Sequence, residues 1–217
     1  MKQVYAPGCA LMLYKPELAR KVLALLNQDS HIIPELTSCC RHKPDLEDGT
    51  QVINTCAGCD KRYGERYKGI STVSLWEILA ESDSFPFPNY HDTEMTIQDA
   101  CPTRQNERVH QAIRRLLERM NIKVVEPEHT RTGATCCGDS FYGVLPVEKV
   151  QEQMKKRSDE MPCHDVVVYC VSCIKAFHIG GKQPRYALDL LFGEKTLAGI
   201  FNPDEWHKEL KAYIDKH

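Results

Sequence analysis

The stretch Asp165-Val166-Val167-Val168-Tyr169-Cys170-Val171-Ser172-Cys173 decides the fold. A short β-branched run suits a strand covered on both faces, as in a parallel sheet. The Cys-x-x-Cys that follows suits the first turn of a helix. Gln51-Val52-Ile53-Asn54-Thr55-Cys56-Ala57-Gly58-Cys59 repeats this construction earlier in the chain. Two such junctions predict an α/β protein built from two pseudo-repeated, small parallel-sheet units with flanking helices. They also place cysteines at the C-terminal ends of strands.

Working outward from these junctions, ten of the eleven cysteines follow one order, written twice. The first set is Cys9, then Cys39-Cys40, then Cys56 and Cys59. The second is Cys101, then Cys136-Cys137, then Cys170 and Cys173. Cys163 stands outside both. The flanks repeat too. QVYAPGC and MTIQDAC read as short strands ending at a cysteine, each followed by an amphipathic helix. One helix is opened by proline and carries Leu18, Val22, Leu25 and Leu26. The other is capped by threonine and carries Val109, Ile113, Leu116, Leu117 and Met120. Each repeat closes on a short amphipathic segment, VSLWEILAE or YALDLLFGE. The sequence predicts a shortened first cysteine-rich repeat over 1–84 and a proline-broken linker, SDSFPFPNYHD. A second cysteine-rich repeat follows over 94–201, and residues 202–217 form a C-terminal packing helix with Trp206, Leu210, Tyr213 and Ile214 on one face.

The repeats differ in one place. Between the double cysteine and Cys-x-x-Cys lie 15 residues in the first repeat and 32 in the second. The missing 17 match the length of 146–162, which reads as a helix with Val147, Val150, Met154 and Met161 inward. Parallel strands need crossovers. The first repeat is therefore expected to replace that helix by a tight loop or another pairing.

Charge is nearly balanced, 28 basic against 30 acidic residues, for a net −2. No basic field is available to attract nucleic acid or anionic lipid. No apolar run reaches the roughly 18 residues needed for direct membrane insertion, and MKQVYA followed by Pro7-Gly8 holds no signal-peptide core. The expectation is a soluble, cytoplasmic protein. In a reducing compartment clustered cysteines point to metal binding or redox chemistry in place of disulfides.

Adjacent cysteines such as Cys136-Cys137 are poorly placed to pair with each other, because neighbouring Cα atoms are about 3.8 Å apart and a disulfide needs about 4.4–6.8 Å. Each sulfur is expected to reach elsewhere. The helix start after Cys-x-x-Cys favours thiolate. Zinc takes four ligands and a simple iron–sulfur cluster also takes four. A fifth sulfur suggests a larger centre, with neighbouring sulfurs on different irons.

The motifs PGC, CC, CAGC, DAC, TCCG and CVSC, in this order over residues 4–196, resemble the CCG-type cysteine-rich domain, which heterodisulfide reductase carries in tandem in its cysteine-rich subunit. Relatives of that family occur in glycolate oxidase iron–sulfur subunits and anaerobic glycerol-3-phosphate dehydrogenase. The resemblance implies an oxidoreductase subunit of the disulfide-reductase type. It would carry a 4Fe-4S-type cluster, noncubane in that family, on Cys101, Cys136, Cys137, Cys170 and Cys173. A second cluster, or zinc, would sit on Cys9, Cys39, Cys40, Cys56 and Cys59. No GxGxxG fingerprint is present for a dinucleotide, so electrons are expected to come from a flavoprotein or a ferredoxin-like iron–sulfur partner. An alternative is a zinc-stabilised or single-cluster relay and interaction module without substrate chemistry of its own. Three departures fall against the family pattern. Arg41 replaces the glycine after Cys39-Cys40, the first loop is short, and Ile97-Gln98 lacks the usual histidine before Asp99-Ala100-Cys101. The second set is thus expected to be the better-formed site, with close backbone approach lost at Arg41.

Arg41, His42 and Lys43 are expected in a solvated loop, with anion binding as the alternative. Asp139 and Ser140 suit either hydrogen bonding to cluster sulfurs or a turn. His178 is expected to pack, and Cys163 to be a buried structural thiol.

Overall fold

The computed structural model describes residues 2–28, 32–199 and 201–217. The chain divides into two compact units, Met1–Ile78 with His207–His217, and Leu79–Trp206. Each is a small α/β unit around one parallel sheet.

The first sheet has three strands in the order β1 (Gln3–Ala6), β2 (Gln51–Asn54), β3 (Ser71–Ser74). All pairings are parallel, with Gln3 opposite Gln51 and Gln51 opposite Ser71. Three of the four residues of β1 and of β2 are buried, as a doubly covered strand requires. Helices α1 (Cys9–Tyr14) and α2 (Pro16–Leu26) follow β1. Proline opens α2 as expected, and Leu18, Ala19 and Val22 are buried from it. Helix α3 (Ala57–Arg66) follows β2, and α4 (Leu75–Ala80) begins directly after β3. Val4, Ala6, Val52, Cys59 and Tyr63 form a core cluster here, with Leu36, Cys40, Leu46, Cys56, Tyr67 and Ile70 packed on it.

The second sheet has the order β5-β4-β6-β7, with β4 (Thr93–Gln98), β5 (Ile122–Val125), β6 (Asp165–Val168) and β7 (Gln183–Tyr186). It is parallel throughout, and Gln98 faces Val168 at the strand ends. Its helices are α5 (Glu107–Arg119), α6 (Val147–Asp159), α7 (Val171–Ile179) and α8 (Ala187–Leu191). Helix α9 (Pro203–Lys216) starts in this unit, and His207–His217 belongs to the first. The expected helix over 146–162 is α6, burying Val150 and Met154, with Met161 buried just beyond it.

The repeat holds strand by strand. β1 matches β4, β2 matches β6 and β3 matches β7. The counterpart of β5 is reduced to a single parallel bridge, Glu35 to Tyr5, closed by Tyr5 N–H to Pro34 O at 2.9 Å and Leu36 N–H to Tyr5 O at 2.7 Å. Parallel pairing of β1 with β2 survives without the crossover helix, because α1, α2 and this one-residue edge still carry the chain across the sheet.

Four expectations change. The cap of α5 is Asn106, whose side chain accepts from Val109 N–H, not threonine. Thr103 lies in a preceding helical turn, Cys101–Thr103, and donates to Ala100 O at 2.8 Å. His178 is exposed, on the outer face of α7. Cys163 is half-buried, not sealed in the core. The segment read as a linker packs onto the second unit. Phe85 is buried against Phe87 and Phe192, and Tyr90 Oη donates to Leu190 O at 2.8 Å. No helix among the described residues is long and apolar enough to cross a membrane.

Candidate functional site

The C-terminal edge of each sheet delivers its five cysteines from three loops. Cys9 opens α1 after Gly8, whose φ of +82° is a glycine conformation. A Cβ on Gly8 would meet Cys56 Cβ at 3.1 Å and Cys59 Sγ at 3.5 Å. Cys101 likewise opens a helical turn after β4. Cys56 caps α3 and Cys170 caps α7, with Cys59 and Cys173 buried in the first turns of those helices. The double cysteines lie in loops, neither at a strand end nor at a helix start as the sequence suggested.

Within each set the sulfurs contact one another in the same order. Cys9 meets Cys39, Cys39 meets Cys40, Cys40 meets Cys59, and Cys59 meets Cys56. Cys101 meets Cys136, Cys136 meets Cys137, Cys137 meets Cys173, and Cys173 meets Cys170. This answers why the cysteines are adjacent. The first of each pair reaches the β1 or β4 loop, and the second reaches the helix after β2 or β6.

The first cysteine of each pair is the acceptor of its set. Hydrogen bonds from Cys40 and Cys9 hold the Cys39 thiol well below its ordinary value, with help from Arg41 N–H at 3.5 Å. Cys136 is lowered by Cys101 and Cys137, and receives Gly138 N–H at 3.3 Å with Ser140 Oγ 2.9 Å away. Their donors move the other way. Donation to Cys39 first, and burial second, raise Cys9. Donation to Cys136 does the same for Cys101, and Cys40 is pushed up to about 12 mainly by donation to Cys39. Cys56 is lowered to about 7 by the Cys59 thiol and, against burial, by the N–H groups of Cys59 and Gly58 at the start of α3. This is the thiolate preference expected of a helix start.

Around the second set a buried polar network fixes the loops. The Asp99 carboxylate accepts from Arg114 Nη1 and Nη2 at 3.0 and 2.9 Å, Arg131 N–H at 2.7 Å and Tyr169 Oη at 3.1 Å. Tyr169 Oη accepts Ala100 N–H at 3.0 Å and sits 2.9 Å from Thr103 Oγ1. Arg157 of α6 donates to Gln98 Oε1 at 2.8 Å, and Gln98 Nε2 donates to Thr135 O at 2.9 Å, just ahead of Cys136. Arg104 donates to Ala134 O at 2.9 Å. Around the first set Tyr67 does the corresponding work. Its hydroxyl lies 2.9 Å from both Cys40 O and His42 O, and Cys39 N–H donates to His217 O at 2.9 Å. A shallow, solvent-open cleft adjoins this set, bordered by Cys9, Cys39, Cys40, Cys59, Glu35 and Tyr213.

All ten expected residues are thus brought together, five to a unit. Ser140 touches the Cys136 sulfur, whereas Arg41, His42 and Lys43 form an exposed surface. Asp99, Gln98, Tyr169, Arg157 and Tyr67 were missed. Gln98 and Asp99 lie three and two residues before Cys101, and Tyr169 precedes Cys170, so polar residues at the buried ends of strands were the available signal.

Five soft sulfur donors suit iron–sulfur chemistry. Among the described residues no group of three or more His, Cys, Asp or Glu is arranged to hold a metal ion.

No family profile matches the chain, and no curated protein matches it. Among solved structures it is similar to aspartate racemase from Picrophilus torridus, at 10% identity and a TM-score of 0.34, over 99% of this chain and 100% of that one. A likeness of that degree supports no inference about fold or activity.

Proposed function

We propose that the protein is an iron–sulfur redox subunit of the kind its motifs resemble, with one polynuclear centre on each cysteine set. One observation carries the reading: ten cysteines, five to a unit, meet in the same order at the ends of two matching sheets. Packing alone gives no reason for that order to recur. Cys101, Cys136, Cys137, Cys170 and Cys173 would hold one centre, and Cys9, Cys39, Cys40, Cys56 and Cys59 the other. Such a centre supplies one-electron transfer to or from a thiol, disulfide or other small substrate.

The protein's own groups set the conditions for that chemistry. Peptide N–H groups of Arg41 and Gly138, with Ser140 Oγ, neutralise charge on the Cys39 and Cys136 sulfurs. Hydrogen bonds to ligand sulfurs shift a centre's potential. Asp99 and Tyr169 hold the Cys101 and Cys170 loops in register. A flavoprotein or ferredoxin-like subunit is the proposed electron partner.

The test is anaerobic purification, with iron, acid-labile sulfide and zinc quantified and EPR spectra taken of oxidised and reduced protein. Iron and sulfide at both sets are expected. Stoichiometric zinc without sulfide would overturn the reading in favour of a zinc-stabilised module. Cys136→Ser and Cys137→Ser are each expected to degrade one centre only. A full wild-type spectrum in either variant would contradict the five-sulfur site.

A further inference from the structure

Three of the five large apolar side chains that stand exposed among the described residues lie in one loop of the second unit: Phe141 at 37%, Val144 at 78% and Leu145 at 36% exposure. The loop is built, not slack. Phe141 O accepts the N–H groups of Val144 and Leu145 at 3.0 Å each, and Gly143 makes the turn at φ +79°. Tyr142 Oη fastens it from the side by donating to Asp204 Oδ1 at 2.7 Å. It begins one residue after Ser140, whose hydroxyl lies 2.9 Å from the Cys136 sulfur. The first repeat, lacking residues that correspond to 146–162, has no such loop.

An ordered loop that packs its base on α6 and α7 yet leaves Val144 and parts of Phe141 and Leu145 open offers an apolar surface to a partner. Its surroundings say of what kind. Asp139, Glu148, Asp204 and Glu205 border it along the chain and across the Tyr142–Asp204 bond. The exposed Glu148 and Glu205 have no partner among the described residues. Two nearby cations are already engaged, and Lys208, one turn along α9 from Asp204 and Glu205, is exposed beside them. Lys149 Nζ is paired to Glu152 at 2.8 Å, and Lys175 Nζ donates to Ala198 O and lies over the rings of Phe201 and Trp206. An apolar centre beside which acidic residues outnumber basic ones is complementary to an apolar centre with a basic rim.

We infer that residues 141–145 are the docking surface through which the Cys136 side of the second centre meets an electron-transfer protein whose contact face is apolar at its middle and ringed by Lys and Arg. The inference rests on the redox reading proposed above. It adds where the partner binds and what chemistry its face carries.

Ferricytochrome c, a basic protein with an exposed apolar haem edge, is the probe. The intact chain with measured iron and sulfide is reduced, and its reoxidation by the probe is followed by stopped flow across ionic strength. The wild-type rate is expected to fall steeply as salt screens the attraction. Glu148→Lys with Glu205→Lys is expected to lower the low-salt rate about tenfold and flatten the salt dependence. Val144→Ser is expected to lower the rate several-fold at every ionic strength, with iron, sulfide and EPR signals unchanged. Glu17→Lys, a charge reversal on α2 of the first unit, is expected to leave the rate near wild type. Equal effects from Glu17→Lys and the rim reversals, or no effect from Val144→Ser, would overturn the docking site while the redox reading stands. Self-association of the wild type abolished by Val144→Ser would overturn it too, assigning the face to a second copy of the chain. Absence of iron and sulfide would instead remove the redox reading, and this inference with it.

Discussion

Gly138 and Met154 are packed so closely that a side chain on one excludes the other. A Cβ at position 138 would lie 2.6 Å from Met154 Cγ, 2.7 Å from its backbone nitrogen and 2.9 Å from its Cα. Gly138 also sits at φ +106°, where only glycine is unstrained. The glycine after the second double cysteine is therefore required by helix α6. The first repeat has no α6, and there Arg41 stands in the equivalent place. Without α6 that place carries no such demand, and Arg41 does not adopt a positive φ. The N–H of Arg41 still points at the Cys39 sulfur as Gly138 N–H points at Cys136.

The first prediction follows from this pair. Gly138→Ala should destabilise the second unit by about 2–4 kcal/mol through overpacking and backbone strain. Arg41→Gly should change stability by about 0.5 kcal/mol or less, as expected of an exposed side chain. Urea denaturation with a probe in each unit checks both. A Gly138→Ala protein as stable as wild type would contradict the packing argument.

Tyr67 supplies a second prediction. With no α6 to brace it, the first double-cysteine loop is held by the Tyr67 hydroxyl on Cys40 O and His42 O. Tyr67→Phe removes that anchor at a cost of about 1 kcal/mol. Amide exchange should quicken over residues 39–43 and stay unchanged around Cys136. Equal protection in both proteins would show that the loop is fixed by other contacts.

These two positions show where the sequence was legible. The valine run 166–168 and its partner Val52-Ile53 announced buried parallel strands, because burial on both faces leaves a continuous apolar signal. The cysteine order announced two matching sets, and the length difference announced α6 as a helix that the first repeat lacks. What requires Gly138 was not legible, because a glycine's reason lies in what touches it, and Met154 is 16 residues away in sequence. The Asp99, Tyr169 and Gln98 network was hidden for the same cause. Its members are scattered over β4, β6 and α6 and meet only after the sheet forms.

Asp99 yields a pH prediction. Its side chain is fully buried against Arg114. Burial alone raises the carboxyl, but the hydrogen bonds and charge of Arg114 and the Arg131 N–H outweigh it and leave the group below its ordinary value. A folded pKa lower than the unfolded one means the ionised form is favoured by folding. The contribution is complete above the unfolded value of about 3.9 and is lost as pH falls through the depressed folded value. Asp99→Asn should cost about 2 kcal/mol at neutral pH by weakening the charge-assisted bonds to Arg114 and Arg131 N–H, while Arg114 keeps its ion pair with Glu126. It should also flatten the acid limb of the second unit's stability curve. An unchanged acid limb would show that other carboxylates govern it.

Gly180 and Ser158 give the last prediction, and it separates packing from strain. Gly180 has an ordinary φ of −72°, so any residue could adopt its backbone. The obstacle is spatial. A Cβ there would fall 1.8 Å from Ser158 Oγ and 2.4 Å from Ser158 Cβ on α6. Gly180→Ala should therefore destabilise the α6–α7 packing by about 1–3 kcal/mol. Ser158→Ala alone should be neutral or slightly stabilising, because Ser158 Oγ is buried without a hydrogen-bond partner. The double variant should remain destabilised, since removing the hydroxyl leaves the Ser158 Cβ in place. Ser158→Gly is the substitution that clears both atoms. Combined with Gly180→Ala it should recover part of the loss, less the cost of about 1 kcal/mol for glycine inside a helix. Rescue by Ser158→Ala would mean that the hydroxyl alone makes the clash, and that α6 stands farther from α7 than the packing of Gly180 requires.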